Sequence, residues 1–205
     1  ILNINRGNRF VSLTSMASKA RGVENWIKDN LDEDHPLANA EFTQGDIVTT
    51  MIKCAHGETV FIIHDTTLPR PYSRGLRVQG TKGLCMEDNN SIFIDDKDSE
   101  EFWHRWTPFE EYQEEYEHPV WKEYIEEGVR SGHGGMDYLC LRDFVNSVAN
   151  KTDVPIDVYD AATWMAVTAL SEQSIALGSM PVEFPDFTDG QWIERTPLAE
   201  GTVSE

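Results

Sequence analysis

An arginine-rich segment, residues 70–77, stands out in an otherwise acidic chain. Arg70, Arg74 and Arg77 fall within eight positions, and Tyr72 lies between the first two. Two neighbouring prolines stiffen the backbone, so the segment could present a phenol and cations to a polar ligand such as a sugar. The alternative is that the arginines pair with surface carboxylates, as exposed arginines commonly do, and that the tyrosine packs its ring.

A glycine-rich segment, residues 131–137, is the second candidate. Its sequence is Ser-Gly-His-Gly-Gly-Met-Asp, and a predicted helix follows it. Gly134 and Gly135 would let a ligand approach the backbone closely, and a helix start offers unpaired N–H groups. His133 adds a side chain of a type that titrates near neutral pH. The alternative is a glycine turn followed by a helix capped by Asp137.

The other histidines predict neither a metal site nor a catalytic site. His35 and His118 precede prolines, His56 lies in a predicted hairpin turn, and His64 ends a strand beside the arginine-rich segment, which it could support. No two histidines stand four residues apart on a predicted helix. The glycine-rich nucleotide-binding patterns, Gly-x-Ser-x-Gly and His-Glu-x-x-His are missing as well. We therefore assign no catalytic residue and no nucleotide-binding fold to this chain.

Charge and hydropathy exclude two classes of partner. The 205 residues include 36 acidic and 17 basic side chains, which gives a formal net charge of −19. A nucleic acid or an anionic membrane surface needs clustered cations, so neither is expected as a partner. No apolar run approaches the ~18 residues of a membrane span. Three widely spaced cysteines predict free, mostly buried thiols rather than a disulfide framework.

The first half of the chain predicts strands, because apolar and β-branched residues alternate between short turns. The predicted strands are 9–15, 46–54, 59–65, 75–80, 83–88 and 91–94. Tight turns between successive strands imply antiparallel pairing, since parallel pairs need longer crossovers. Residues 19–38 are polar and predict a loop.

The second half of the chain changes to a helical period. Predicted helices are 119–127, 138–150 and 158–177. The second carries one apolar stripe, made of Leu141, Phe144, Val145 and Val148. Asp157 should cap the third helix, which is apolar on more than one side and should lie buried against the sheet. The fold class is therefore α+β, a mostly antiparallel sheet with helices packed on one face.

The domain organisation predicted from these elements is simple. Residues 1–197 form a substrate and oligomerisation domain, and residues 198–205 form a disordered or frayed tail within an irregular region that starts at 182. Because the chain begins with Ile1 rather than Met, we expect a piece of something longer, and the missing signal peptide excludes little. The sequence leaves the bacterial periplasm, secretion and the cytoplasm open as locations of the parent protein.

Four segments together resemble family 109 glycoside hydrolases, NAD-dependent α-N-acetylgalactosaminidases of the Gfo/Idh/MocA-type oxidoreductase superfamily. They are 2–10 (Leu-Asn-Ile-Asn-Arg-Gly-Asn-Arg-Phe), 70–74 (Arg-Pro-Tyr-Ser-Arg), 78–83 (Val-Gln-Gly-Thr-Lys-Gly) and 132–137 (Gly-His-Gly-Gly-Met-Asp). They fall in family order, and the match runs from residue 2 to about 197. The resemblance implies the C-terminal α/β domain of such an enzyme.

The same resemblance implies what this chain lacks. In the family, a Rossmann domain that binds NAD comes first, and a catalytic Tyr and His motif lies just upstream of the segment 2–10. Neither is in this sequence, so we expect the isolated chain to be inactive and NAD to be bound mainly by the absent domain. The family chemistry is redox-neutral: a hydride leaves C3 of the sugar, the C2 proton is removed, the aglycone is eliminated, water adds, and the hydride returns.

By resemblance, this domain forms one wall of the pocket for an N-acetylgalactosamine-containing glycan. Tyr72 would reach the substrate, and Arg70 and Arg74 would orient its segment. His133, with Gly134 and Gly135, would line the pocket or the domain junction. The open face of the sheet is where superfamily members tend to associate, so we expect a homo-oligomer. Two other hypotheses for the function of this chain remain. It could be the C-terminal domain of an NAD(P)-dependent sugar dehydrogenase, or a non-catalytic sugar-binding or dimerisation module.

Overall fold

The structure, a computed structural model, describes residues 1–97, 104–127 and 132–197, and only the backbone of 125–127. The predicted tail, 198–205, lies outside the described residues. The chain divides into two units, one comprising Ile1–Pro69 with the chain from Arg142 onward, and the other Arg70–Leu141. Both units contain antiparallel strands, and the α+β class is confirmed. The predicted single sheet is wrong, because the strands form two separate four-stranded sheets.

The first unit is built on a sheet with strand order β3-β2-β1-β8. Its strands are β1 (Phe10–Ala17), β2 (Ile47–Cys54), β3 (Thr59–Asp65) and β8 (Val182–Glu183), and all neighbours pair antiparallel. Leu13 lies opposite both Ile52 and Val182, and these three with Phe184 form the buried core. The alternation of buried and exposed side chains predicted for 9–15 and 46–54 is therefore confirmed in β1 and β2.

Helix α5 (Val158–Ala176) covers this core. Asp157 caps it as predicted, and its side chain accepts from the backbone N–H of Tyr159 and Asp160 in a capping box. Val167 and Leu170 pack against the core. The helix therefore packs against the sheet as predicted, but Trp164 and Met165, two of its apolar residues, are more than half exposed.

The second unit is built on a smaller antiparallel sheet with strand order β4-β5-β6-β7. Its strands are β4 (Arg77–Gly80), β5 (Gly83–Met86), β6 (Ser91–Ile94) and β7 (Thr107–Pro108). Two helices follow, α2 (Gln113–Tyr116) and α3 (Pro119–Glu127). Helix α3 agrees with the predicted helix 119–127. The unit ends at Leu141, within the first half of α4 (Met136–Asn150).

Two segments that we predicted as irregular are regular. Helix α1 (Gly22–Asn30) lies in the predicted loop 19–38 and buries Ile27. Strand β8 lies in the predicted irregular region and pairs with β1 at Leu13. Both errors have one cause, because each element is stabilised by residues distant in sequence. Asp46, for example, accepts hydrogen bonds of 2.8 Å from the backbone N–H groups of Arg21 and Gly22.

Helix α4 exposes the face that its sequence predicts to be buried. Phe144, Val145 and Val148 are 56–60% exposed, whereas Ser147 is 2% exposed. Burial also raises the pKa of Asp143 on this helix. The apolar stripe is therefore present as predicted, but it faces solvent. Of the cysteines, all three carry free thiols, and Cys140 on this helix is exposed rather than buried.

Candidate functional site

Tyr72 projects into solvent from the segment that joins β3 to β4. Its side chain and backbone are together 90% exposed. Pro71 removes one backbone donor and narrows the local dihedral range. A ring this exposed contributes little to the fold, so the alternative in which Tyr72 packs its ring does not describe this structure.

The two arginines that flank Tyr72 hold its segment in different ways. Arg70 turns back on its own backbone, and its Nη1 donates to the carbonyl oxygens of Pro71 and Ser73, both at 3.2 Å. Arg74 instead donates hydrogen bonds to Glu87 at the start of the β5–β6 turn. Its Nε and Nη2 lie 3.0 and 2.6 Å from Glu87 Oε1. The hydrogen bond and the charge of Glu87 raise the pKa of Arg74. The backbone on both sides of Tyr72 is thus tied to arginines.

A turn after Tyr72 completes this anchoring. Gly75 takes a positive φ of 61°, a conformation that suits glycine. Its N–H donates to Ser73 Oγ at 2.7 Å, and the Ser73 hydroxyl donates to Asp88. Glu87 also exchanges contacts with Leu76, whose carbonyl oxygen accepts from the Glu87 backbone N–H at 2.8 Å. Neither Glu87 nor Asp88 is a site residue predicted from the sequence, because carboxylates are too numerous in this chain for one to stand out.

The glycine-rich segment forms a short turn that leads directly into α4. His133 and Gly134 both take left-handed φ values, 51° and 67°. His133 Nδ1 lies 2.9 Å from Asp137 Oδ2, and this carboxylate raises the pKa of His133. The predicted helix cap at Asp137 is wrong, because α4 already begins at Met136 and the Asp137 side chain is engaged with His133.

Gly135 is required by packing rather than by ligand approach. It is buried, with a φ of 99°. A Cβ placed on it would lie 2.3 Å from Cε1 of Tyr124, a fully buried ring of α3. Gly134, in contrast, faces open space, with no atom within 4 Å of the Cβ position. The two glycines predicted as a pair therefore differ, and only Gly134 leaves room for a ligand.

One contact brings the two candidate segments together. Arg74 Nη1 approaches the sulfur of Met136 at 3.9 Å, and Met136 follows Gly135 directly. The exposed phenol of Tyr72, the guanidinium of Arg74 and the imidazole of His133 thus belong to neighbouring parts of the second unit. Such a surface can donate hydrogen bonds and stack against a polar ring. In the described ranges, no three His, Cys, Asp or Glu side chains cluster as a metal site requires.

The profile of the family described as glycosyl hydrolase 109, C-terminal domain, matches residues 1–194. This chain belongs to that family. The match covers all four segments that carried the resemblance, including both parts of the candidate site. Within the described residues, no helix is long and apolar enough to cross a membrane.

Curated relatives of the family match nearly the whole chain. An alpha-N-acetylgalactosaminidase of Tannerella forsythia is 50% identical over 196 residues, 96% of this chain and 41% of the relative. One of Shewanella oneidensis is 40% identical over 199 residues, 96% of this chain and 43% of the relative. This chain therefore spans less than half the length of these relatives.

Two solved structures share the fold. An oxidoreductase domain protein from Kribbella flavida superposes with a TM-score of 0.58 at 16% identity, over 88% of this chain and 46% of that one. A levoglucosan dehydrogenase, solved with NADH and levoglucosan, gives 0.57 at 17% identity, over 87% of this chain and 46% of its own. The GH109 C-terminal domain thus has the fold found in about half of each of these oxidoreductase chains.

The family segment 2–10 has a structural task that its sequence does not reveal. Arg6 donates to both carboxylate oxygens of Asp160 at 2.8 and 2.9 Å, and to Asp157 at 3.1 Å. Asn5 donates to Thr163 at 3.0 Å, and Arg195 also pairs with Asp157. These groups tie the start of the GH109 domain to the N-terminus of α5. The local sequence gives no signal for this, because the partners lie about 150 residues away.

Proposed function

We propose that this chain supplies the sugar-binding side of an α-N-acetylgalactosaminidase, with Tyr72 as the residue that contacts the sugar. The observation that carries the proposal is the 90% exposure of Tyr72 on a segment held on both sides by arginine contacts. Membership of the GH109 family and the names of the relatives support the substrate class.

The anchored segment suits a binding role because its geometry is already set. Arg70 and Arg74 are engaged with Pro71, Ser73 and Glu87, so they orient the segment rather than contact the sugar first. A preorganised loop loses less conformational entropy on binding than a mobile one. The phenol can then donate to a sugar hydroxyl or stack on the apolar face of the ring. His133, with Gly134 beside it, lines the same surface.

The described residues do not fit a dinucleotide cofactor. A Rossmann site needs parallel strands joined through a helix, with pyrophosphate at the helix start. All pairs between the strands of the two described sheets are antiparallel. We therefore infer that NAD, which would accept and return a hydride when bound, is held by the part of the protein outside this chain. The reacting groups would lie there as well.

The exposed stripe of α4 supports a further part of this kind. Phe144, Val145 and Val148 point to solvent although they are apolar. Exposed contiguous apolar side chains of this kind mark interaction surfaces. The relative from Tannerella forsythia is more than twice as long as the matched region, so it contains further chain that could cover such a face. We infer that the stripe docks the remainder of the full-length protein.

The open face of the larger sheet supports a homo-oligomer. Met51 and Phe61 lie opposite each other on β2 and β3, and both are more than half exposed. Ile63 and Met16 extend the same patch. Sedimentation of the full-length protein checks this: Phe61→Glu should shift it toward a smaller species, whereas unchanged sedimentation would contradict association through this face.

Replacing Tyr72 tests the proposed role. In the full-length enzyme, Tyr72→Phe should lower kcat/KM on N-acetylgalactosaminides about 3- to 10-fold, the worth of one hydrogen bond. Tyr72→Ala should lower it further, because the stacking surface is lost as well. The free energy of unfolding should change by less than about 0.5 kcal/mol, since the residue is exposed. Tyr116→Phe, an exposed tyrosine of α2, is the matched control.

The same assay separates the glycosidase from the alternatives. Release of the aglycone with no net accumulation of NADH is the result we expect. Net NADH production without aglycone release would favour a sugar dehydrogenase instead. Unchanged kinetics in Tyr72→Phe and Tyr72→Ala alike would refute the binding role of this residue.

A further inference from the structure

A cleft lies on the small sheet of the second unit, at the β4–β5 turn. It has a volume of about 400 Å³ and is lined in part by Gln79, Gly80 and Thr81. The segment of Tyr72 precedes the opposite end of β4, and the four residues of this strand span roughly 10 Å. The cleft is therefore separate from the Tyr72 surface.

The strand register explains how the cleft is built. Gln79 on β4 lies opposite Leu84 on β5, and Leu84 lies opposite Phe93 on β6. Residues directly opposite each other project from the same face of a sheet. Leu84 and Phe93 therefore form an apolar floor. Trp106 borders the floor on the far side, just before β7, and is 40% exposed.

Polar groups stand at the edges of this floor. The Gln79 amide is oriented because its Oε1 accepts from Arg77 Nη2 at 2.9 Å, which leaves the amide nitrogen available as a donor. The exposed hydroxyl of Thr81 lies in the turn, and the exposed carboxylate of Asp95 follows β6. Arg105 lines the cleft as well, so it carries charges of both signs.

This combination fits a neutral sugar ring better than other small ligands. A pyranose has an apolar C–H face that stacks on an aromatic side chain, and hydroxyls at its edge that pair with amides and carboxylates. The cleft is too polar for a lipid chain, and because Asp95 stands in it together with His104 and Arg105, it presents no uniform positive charge for a phosphate. We propose that it is a second carbohydrate site, which binds an inner sugar residue of the glycan whose terminal residue meets Tyr72. This inference rests on the proposed function.

Comparing two substrates in the full-length enzyme tests the site. One is p-nitrophenyl α-N-acetylgalactosaminide, which carries a single sugar, and the other is an oligosaccharide that ends in the same sugar. Trp106→Ala and Gln79→Ala should each raise KM for the oligosaccharide about 5-fold or more and leave KM for the single-sugar substrate unchanged. Trp106→Phe should restore most of the affinity, because the stacking surface is kept. Trp26→Ala, which replaces an exposed tryptophan of α1, is the control.

The outcomes separate this inference from the proposed function. Equal KM values for the oligosaccharide in wild type and both alanine variants would overturn the second site while leaving the glycosidase intact. If neither substrate is cleaved, the proposed function fails, and calorimetric titration with the oligosaccharide still decides the cleft. Binding that Gln79→Ala weakens would then support it, and binding that the variant leaves unchanged, or no binding, would overturn it. Gln79 lies exposed on an edge strand, so this variant should fold even if Trp106→Ala does not.

Discussion

Two arginine–carboxylate groups in this protein have opposite surroundings. Arg6 and Asp160 have side chains only 10% and 9% exposed, whereas Arg74 and Glu87 are 57% and 33% exposed. Both pairs have short hydrogen bonds, so distance alone does not distinguish them. Burial does, because removing one partner of a buried pair leaves a charge without compensation. The first group therefore stabilises the fold, and the second holds a loop on which Tyr72 remains accessible.

Replacing Arg6 in the buried group should change the stability of the protein most. Arg6→Ala leaves the buried Asp160 without its guanidinium partner, whereas Asp157 keeps Arg195. The variant should lower the free energy of unfolding by about 3–5 kcal/mol. Chemical denaturation measures this. Arg21→Ala is the matched control, since Arg21 pairs with Glu24 through a side chain that is 62% exposed. Its effect should stay below about 1 kcal/mol. Equal losses in the two variants would remove the contrast between buried and exposed pairs.

Two adjacent glycines of the candidate site also differ in burial, since Gly134 is exposed and Gly135 is buried. Gly135→Ala should lower the free energy of unfolding by about 3 kcal/mol, because its Cβ would collide with the buried Tyr124 ring and its φ is positive. Gly134→Ala should lower it by only about 1 kcal/mol, because its φ is positive but no neighbouring atom is in the way. Thermal or chemical denaturation compares the two. If Gly135→Ala were as mild as Gly134→Ala, the packing role of this turn would be wrong.

The smallest expected effect concerns the exposed His133–Asp137 pair. Asp137 raises the pKa of His133 in the folded protein above its value in the unfolded chain. The pair therefore stabilises the fold at pH values below the unfolded pKa, and this stabilisation is lost as the pH rises through the folded pKa. Asp137→Asn should lower the pKa of His133 toward about 6.5. High salt should reduce the shift in the unsubstituted protein, because the pair is exposed. An NMR titration of the His133 ring protons measures the pKa in each case. A pKa that is the same in Asp137→Asn as in the unsubstituted protein would contradict the contact.

Local patterns predict much of this fold, and distant pairings account for what they miss. The hairpin of β2 and β3 and the Asp157 cap depend on residues close in sequence, and both are predicted correctly. Helix α1 and β8 depend on Asp46 and Leu13, which are remote from them, and local patterns miss both. Helix α4 shows a third case, since its stripe is predicted but its exposure is not. Periodicity identifies an apolar face without identifying what covers it.

The candidate site is predictable in composition but not in arrangement. The clustering of Arg70, Tyr72 and Arg74 in an acidic chain is enough to indicate the first segment, because residue types and spacing are visible in the sequence itself. The distinct tasks of Gly134 and Gly135 depend on Tyr124, which no local pattern connects to them. In the same way, only the pairing of the surrounding strands identifies Glu87 as the partner of Arg74.

A structure of the full-length protein with bound N-acetylgalactosamine would decide whether Tyr72 contacts the sugar. We expect the sugar to lie against the Tyr72 side chain, within hydrogen-bond or stacking distance of the phenol. A sugar bound elsewhere in the protein, with Tyr72 still facing solvent and none of its atoms in contact, would refute the proposed role of Tyr72.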